Sequence, residues 1–143
     1  MPEAVVALTG ASGARYAVRL VDSLLEQDWK VNLIVTGAGA INLDLECGIT
    51  PEELADRDGV TLEENRNLAA RSASGSARFD AYIICPASGT TIGKISSGIS
   101  DNLATRSALV AMKERRKLIV VPREAPYSTP HLKAMANLSE WGV

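Results

Sequence analysis

Two short segments rich in glycine and hydroxyl residues have the composition of an anion site. Gly10-Ala11-Ser12-Gly13 follows the apolar run 4–8, and Ser88-Gly89-Thr90-Thr91 follows the apolar run 81–85. Each segment leads into a stretch with helical periodicity, so backbone N–H groups and the positive end of a helix dipole meet there. We expect Ser12 to cap the first helix and its first-turn N–H groups to face outward. Both junctions are therefore predicted phosphate sites.

Charged residues in two places have the chemistry to act on such an anion. Arg123 and Glu124 follow the apolar run 118–121, while Arg106 and Lys113 are seven residues apart in a helical pattern. Seven residues make two turns, so these two cations are expected within about 20° of one another on one helix face. The alternative for them is a solvated helix end whose cations complement the helix dipole. His131, the single histidine, is expected to be structural, because no Ser-His-Asp arrangement can be built around it.

Four apolar runs predict the strands that position these residues: 4–8, 31–35, 81–85 and 118–121. Helical patterns between them favour an open parallel sheet of the Rossmann or flavodoxin type, with three α/β/α layers in one domain spanning 1–143. Residues 90–116 are predicted to form two helices broken near 98–101. Residues 50–76 begin with a Thr-Pro-Glu-Glu helix signal and otherwise indicate an excursion over the surface.

The four segments that follow the predicted strands are all rich in Gly, Ser, Thr or Pro: TGASG, TGAGA, PASGTT and PREAPYS. Ligands of open α/β sheets bind beyond the carboxyl ends of the strands, so four such segments at one edge predict a site. The alternative is that they are only turns.

Composition excludes several classes of function. The formal net charge of −2 gives no reason to expect nucleic acid as a partner. No apolar run approaches the ~18 residues that span a bilayer, and no secretory signal pattern is present, so we expect no membrane association and a cytoplasmic location. The two cysteines are too few for a disulfide framework, and with one histidine they offer no spacing for a metal site.

Two familiar phosphate motifs do not fit. The first loop lacks the third glycine of G-x-G-x-x-G, and no acidic residue ends the second predicted strand, which disfavours a dinucleotide. Residues 89–96 have three residues between glycines where a P-loop has four, and Ile95 replaces the magnesium-binding hydroxyl, which disfavours a nucleoside triphosphate. The phosphate of a mononucleotide remains the natural ligand of the two junctions.

The segments LTGASGARYAVRL, SASGS and ICPASGTTIGKISSGISDNLATRSALVAMKERRKLIVVPREAPYSTPHLKAM resemble the flavin prenyltransferases of the UbiX/Pad family. The resemblance covers nearly the whole chain, and its SDNLATR, KERR and VPREAP succession is highly specific. It implies FMN as cofactor and a metal-independent enzyme that joins FMN to the dimethylallyl group of dimethylallyl phosphate. It also implies a homo-oligomer, either a trimer or a dodecamer, and a partner decarboxylase that uses the prenylated flavin.

The resemblance also implies roles for individual residues. The implied cofactor-binding residues are Gly10, Ala11, Ser12, Thr36, Ser88, Gly89, Thr90, Thr91 and Arg123. The implied catalytic residues are Ser12, Ser74, Arg106, Lys113 and Glu124. In that scheme Lys113 and Arg106 stabilise the departing phosphate, while Glu124 and a serine relay protons. The reduced flavin is the nucleophile, so no nucleophilic side chain is expected.

This sequence departs from the family pattern at two points. Ser88-Gly89-Thr90 stands where Ser-Met or Ser-Ala-Asn is common, which changes the shape expected for the flavin pocket. The family pattern also continues for several tens of residues past the position of Val143, where a tyrosine and a basic residue bind the prenyl phosphate. A truncated form and a short relative or carrier that binds FMN without prenylating it therefore stay open. A third alternative is an FMN-dependent cysteine decarboxylase, a group whose early catalytic histidine has no counterpart here.

Overall fold

The computed structural model describes residues 1–143 and places a five-stranded parallel sheet at the centre of the molecule. The strands are β1 (Glu3–Leu8), β2 (Lys30–Val35), β3 (Val60–Glu64), β4 (Ala81–Ala87) and β5 (Leu118–Pro122). Their spatial order is β3-β2-β1-β4-β5, and every neighbouring pair is parallel. The four predicted strands and the predicted open parallel sheet are confirmed.

Six helices connect and cover the strands. They are α1 (Ala14–Glu26), α2 (Gly37–Cys47), α3 (Pro51–Ala55), α4 (Gly89–Ser96), α5 (Leu103–Lys113) and α6 (Thr129–Glu140). The predicted break between two helices is confirmed between α4 and α5, where Asn102 accepts a hydrogen bond from the backbone N–H of Thr105 and caps α5. None of the six combines the length and the apolar character that a membrane-crossing helix requires.

The side chains of β1 alternate between the two faces of the sheet and so divide the core in two. Val6 and Leu8 pack in a cluster with buried residues of α1, α2 and α3. Val5 and Ala7 pack on the other face, in a cluster with residues of α4, α5 and α6. Helices therefore cover both faces of the central strands, which gives the predicted three layers.

The expectation of a surface excursion over residues 50–76 was wrong in part. The Thr-Pro-Glu-Glu signal does start a helix, since Thr50 and Glu53 form a capping box at α3. The segment then contributes strand β3 to the edge of the sheet and a 3-10 turn at Arg71–Ala73. The strand was missed because an edge strand with only one neighbour is half-buried, and VTLEE carries acidic residues where a central strand is apolar.

Candidate active site

The carboxyl edge of the sheet brings together the segments that follow β1, β2, β4 and β5. The backbone N–H of Thr36, after β2, donates to the carbonyl of Leu8 at 3.0 Å. The hydroxyl of Thr9, after β1, donates to the carbonyl of Pro86 in β4 at 2.6 Å. A methyl group placed on Gly13 would lie 3.5 Å from Cγ of Arg123, which follows β5. The predicted convergence of these segments is therefore present in the structure.

The start of α1 differs from the sequence prediction, because Ser12 does not cap it. Gly13 is the N-cap residue, with a φ of 125° that favours glycine, and no side chain of the loop caps the helix. The carboxylate of Glu46 instead accepts hydrogen bonds from the N–H groups of Gly13 at 2.9 Å and Ala14 at 3.3 Å. The first-turn N–H groups thus meet the protein's own anion rather than solvent. Ser12 is left exposed, with its hydroxyl free for a ligand.

The start of α4 has the predicted cap but offers fewer free groups than expected. Ser88 Oγ accepts from the backbone N–H of Thr91 at 3.1 Å and lies 2.8 Å from the Thr91 hydroxyl. The N–H of Ser88 donates to Thr9 Oγ1 at 2.8 Å. Thr91 is buried, while Thr90 is exposed. Among the hydroxyls of this segment, the one of Thr90 is therefore turned to solvent.

His131 lies against this same segment, a position that sequence reasoning missed. A methyl group placed on Gly89 would overlap the His131 ring, with Nε2 at 2.6 Å. The imidazole thus packs directly on position 89, and a larger residue there would have to displace it. The contact joins the start of α6 to the start of α4, and residues 42 positions apart show no local signal of it.

Thr36 has the position of a cofactor-loop residue at the end of β2. Its hydroxyl caps α2 by accepting from the N–H of Gly39 at 3.0 Å. Thr36 also lines a cavity of about 360 Å³ at the carboxyl ends of β2 and β3, together with Gly37, Glu63 and Arg66. No other predicted cofactor residue lines that cavity.

A second group of predicted residues lies along one face of α5. Arg106 Nε donates to the carbonyl of Ala73 at 3.2 Å. Lys113 Nζ lies 2.8 Å from the place a methyl group on Gly75 would occupy. Both cations therefore face residues 73–75, which confirms the predicted common helix face and brings them beside Ser74. Lys113 also pairs with the Glu114 carboxylate at 2.7 Å, and this hydrogen bond lowers the pKa of Glu114.

Lys113 and Glu124 lie at opposite edges of the sheet, whereas the resemblance implies that both act on one prenyl phosphate. Lys113 ends α5, just before the amino end of β5, whereas Glu124 follows the carboxyl end of β5. A strand of five residues separates them by roughly 15 Å or more. Glu124 is exposed and forms no ion pair with Lys113 or Arg106. One chain alone therefore does not place Glu124 and Lys113 around a single phosphate.

Comparison with known proteins identifies the family of the chain. The family described as Flavoprotein matches residues 2–143. The flavin prenyltransferase UbiX of Thermoplasma acidophilum is 45% identical over 139 residues, which is 97% of this chain and 76% of that protein. The flavin prenyltransferase LpdB of Lactiplantibacillus plantarum is 41% identical over 144 residues, 100% of this chain and 76% of that protein.

The chain belongs to the flavin prenyltransferase family. The resemblance found in the motifs is thereby confirmed, and so is FMN as the cofactor of the family. The chain spans about three quarters of the length of these relatives.

Solved structures give the same relationship. A protein from Escherichia coli O157:H7, described as a dodecameric FMN-dependent UbiX-like decarboxylase, superposes with a TM-score of 0.94 at 36% identity, over 99% of this chain and 77% of its own. AnUbiX (PadA1), solved with FMN and dimethylallyl pyrophosphate, has a TM-score of 0.92 at 33% identity, over 99% of this chain and 74% of its own. These structures confirm the predicted fold.

Proposed function

We propose that this protein transfers the dimethylallyl group of dimethylallyl phosphate to reduced FMN. The observation that carries the proposal is the 45% identity to a flavin prenyltransferase over 97% of the chain. The AnUbiX structure, which contains FMN and dimethylallyl pyrophosphate and has a TM-score of 0.92 to this chain, supports the same substrate class.

The groups exposed at the carboxyl edge suit a phosphorylated flavin. Hydroxyls of Ser12 and Thr90 and the guanidinium of Arg123 are all solvent-accessible there and can donate to phosphate or carbonyl oxygens. FMN would accordingly be held by residues 10–12, Thr36, residues 88–91 and Arg123.

The charged residues then have separate tasks in the transfer. Reduced FMN supplies the electron pair for the new bond to carbon, while the C–O bond of the allylic phosphate breaks and the phosphate keeps that bond's electrons. Lys113 and Arg106 stabilise the negative charge that develops on the phosphate, with Ser74 as a further donor. Glu124 takes up the proton that the flavin releases, and Ser12 relays it. Glu46, which the motifs did not single out, adds a second carboxylate beside Ser12.

Because one chain holds Lys113 and Glu124 at opposite sheet edges, we place the site between subunits of a homo-oligomer. In this arrangement, the face of α5 that carries Arg106 and Lys113, with Ser74 beside it, meets the carboxyl edge of the sheet in the next subunit. Two observations support it: the E. coli relative is described as dodecameric, and α2 exposes 61% of Ile41 and 76% of Leu45 to solvent. Apolar side chains exposed to this extent are suited to burial in a subunit interface.

Subunit complementation tests the shared site. Lys113→Ala and Glu124→Gln each inactivate the site to which they contribute, but a mixed oligomer contains some sites with both native residues. Co-expression of the two variants should therefore restore a clear fraction of the wild-type rate. The control is co-expression of wild type with the Lys113→Ala/Glu124→Gln double variant. Absence of any restoration in oligomers that contain both single variants would contradict a site shared between chains.

Release of inorganic phosphate tests the reaction itself. Under anaerobic conditions, reduced FMN and dimethylallyl phosphate should yield one phosphate per flavin in a single turnover, and omission of either should yield none. Binding of FMN without phosphate release would identify a flavin carrier. Loss of carbon dioxide from a peptide with a C-terminal cysteine would identify the cysteine decarboxylase.

The use of the product belongs to the same proposal. Prenylated flavin is expected to activate a decarboxylase that lacks this cofactor, and both proteins would meet in the cytoplasm. Adding the reaction product to such an apo-decarboxylase and measuring carbon dioxide release tests the first point. Fractionation of the source cells tests the second.

A further inference from the structure

One face of α2 supports the whole loop between β1 and α1. Ala38 Cβ stands 2.6 Å from the place a methyl group on Gly10 would occupy, and Gly39 packs directly on the carbonyl of Leu8. Asn42 and Glu46 continue the same face, four and eight residues after Ala38. Asn42 Nδ2 donates to the carbonyls of Gly10 at 2.9 Å and Ala11 at 3.2 Å. Ala38, Asn42 and Glu46 follow helical spacing, and their contacts run along the loop from Gly10 to Ala14.

We propose that Asn42 is a positioning residue that sets the place of Ser12 by holding the carbonyls of Gly10 and Ala11. The inference rests on the proposed function, because it assumes that the Gly10–Ser12 loop binds FMN. Asn42 does not touch the reacting groups in this proposal. It acts through the loop, as the side-chain donor to both carbonyls.

The physical argument concerns the freedom of the loop. Gly10 and Gly13 flank Ser12, so the segment has more backbone conformations available than a loop of ordinary residues. Glu46 fixes its far end through N–H groups, but N–H bonds at Gly13 and Ala14 do not orient the carbonyls at Gly10 and Ala11. Without Asn42 the loop has to be ordered when FMN binds, and this ordering lowers the affinity.

Two substitutions at Asn42 separate positioning from packing. Asn42→Asp keeps the size of the side chain but replaces the donor with an acceptor, which faces two carbonyl oxygens. Asn42→Ala removes the donor without adding charge. Asn137→Asp is the matched control, since Asn137 Nδ2 bonds the Ser96 hydroxyl at 3.4 Å on the exposed side of α6.

The readouts are the Kd for FMN from flavin fluorescence, the visible circular dichroism of bound FMN, and the melting temperature. Both Asn42 variants should unfold cooperatively and bind FMN about 10-fold more weakly, a change equivalent to one to two hydrogen bonds. Their bound flavin should show an altered circular dichroism spectrum, while Asn137→Asp should match wild type in both properties. A purely structural role would lower the melting temperature and leave the spectrum of the bound flavin unchanged.

The possible outcomes distinguish a failure of the role proposed for Asn42 from a failure of the proposed function. Wild-type affinity and spectrum in Asn42→Asp would overturn the inference, and so would an affinity loss that only follows the loss of folded protein. If the wild-type protein binds FMN but releases no phosphate, the proposed function fails while the comparison of Kd values still decides the role of Asn42. If the wild-type protein does not bind FMN, both proposals are overturned.

Discussion

Replacing Gly10 with alanine tests how closely the first loop is packed on α2. The new methyl group would lie 2.6 Å from Ala38 Cβ, whereas carbon atoms in contact stand about 3.5–4.0 Å apart. Gly10 does not have a positive φ, so alanine is compatible with its backbone and the penalty is steric. The loop or α2 must therefore move by roughly 1 Å, in a region where Asn42 and Glu46 hold both together.

The expected cost follows from overpacking. Inserting a methyl group into a packed site costs about 1–3 kcal/mol, and the lower half of that range applies because Ala38 is exposed and some relaxation is possible. For a chain of this size, about 1–2 kcal/mol corresponds to a melting temperature roughly 3–7 °C lower. FMN affinity should fall as well, since Gly10 belongs to the proposed cofactor loop.

A double-mutant cycle isolates the contact. Ala38→Gly removes the methyl group that Gly10→Ala would meet, and alone it costs at most about 1 kcal/mol through helix propensity. The double variant should therefore lose little more stability than Ala38→Gly alone, with a coupling energy of about 1 kcal/mol or more. Thermal or urea unfolding of the four proteins measures this coupling. Strictly additive effects, or a Gly10→Ala variant as stable as wild type, would refute the packing argument.

Three further predictions concern catalysis, pH and capping. Lys113→Ala and Glu124→Gln should each slow prenylation at least ~100-fold while the affinity for FMN stays within a few fold. Single-turnover flavin absorbance on equal amounts of bound FMN measures this. Joint loss of bound FMN and of thermal stability would indicate a structural role instead. Hydrogen bonding to Arg71 lowers the pKa of Glu3, so this pair stabilises the fold above the ordinary carboxyl pKa and the contribution is lost as the pH falls through the lowered pKa. The difference in free energy of unfolding between wild type and Glu3→Gln should accordingly shrink when urea unfolding is repeated from pH 7 towards pH 3. A difference that grows as the pH falls would contradict this role of the pair. Ser88→Ala should cost about 1 kcal/mol in urea unfolding through loss of the α4 cap, and no measurable loss would count against that cap.

The fold could be predicted largely because its central strands are buried on both faces. Such strands are mostly apolar, so runs such as 31–35 and 81–85 stand out against the helical patterns between them. Strand β3 lacks that signal because it has a neighbour on one side only and carries Glu63 and Glu64. A half-buried edge strand of this kind cannot be distinguished from a charged loop by periodicity alone.

The sequence indicated which elements carry the candidate residues but not how those elements are arranged. The cap at Ser88 follows from local sequence and is present, whereas the expected cap at Ser12 is replaced by Glu46, which lies 33 residues from Gly13 in the chain. Likewise, helical spacing places Arg106 and Lys113 on one face but does not reveal that Lys113 lies at the amino end of β5. Distances between elements depend on tertiary packing, which spacing along the chain does not encode.

The mass of the flavin after reaction tests the central claim most directly. The protein is incubated anaerobically with reduced FMN and dimethylallyl phosphate, and the flavin is extracted and measured by mass spectrometry, with Lys113→Ala as the comparison. The account predicts that the flavin gains the mass of one five-carbon prenyl unit with wild type and gains it far more slowly with the variant. A flavin of unchanged mass, recovered from protein that has bound FMN, would contradict the assignment as a flavin prenyltransferase.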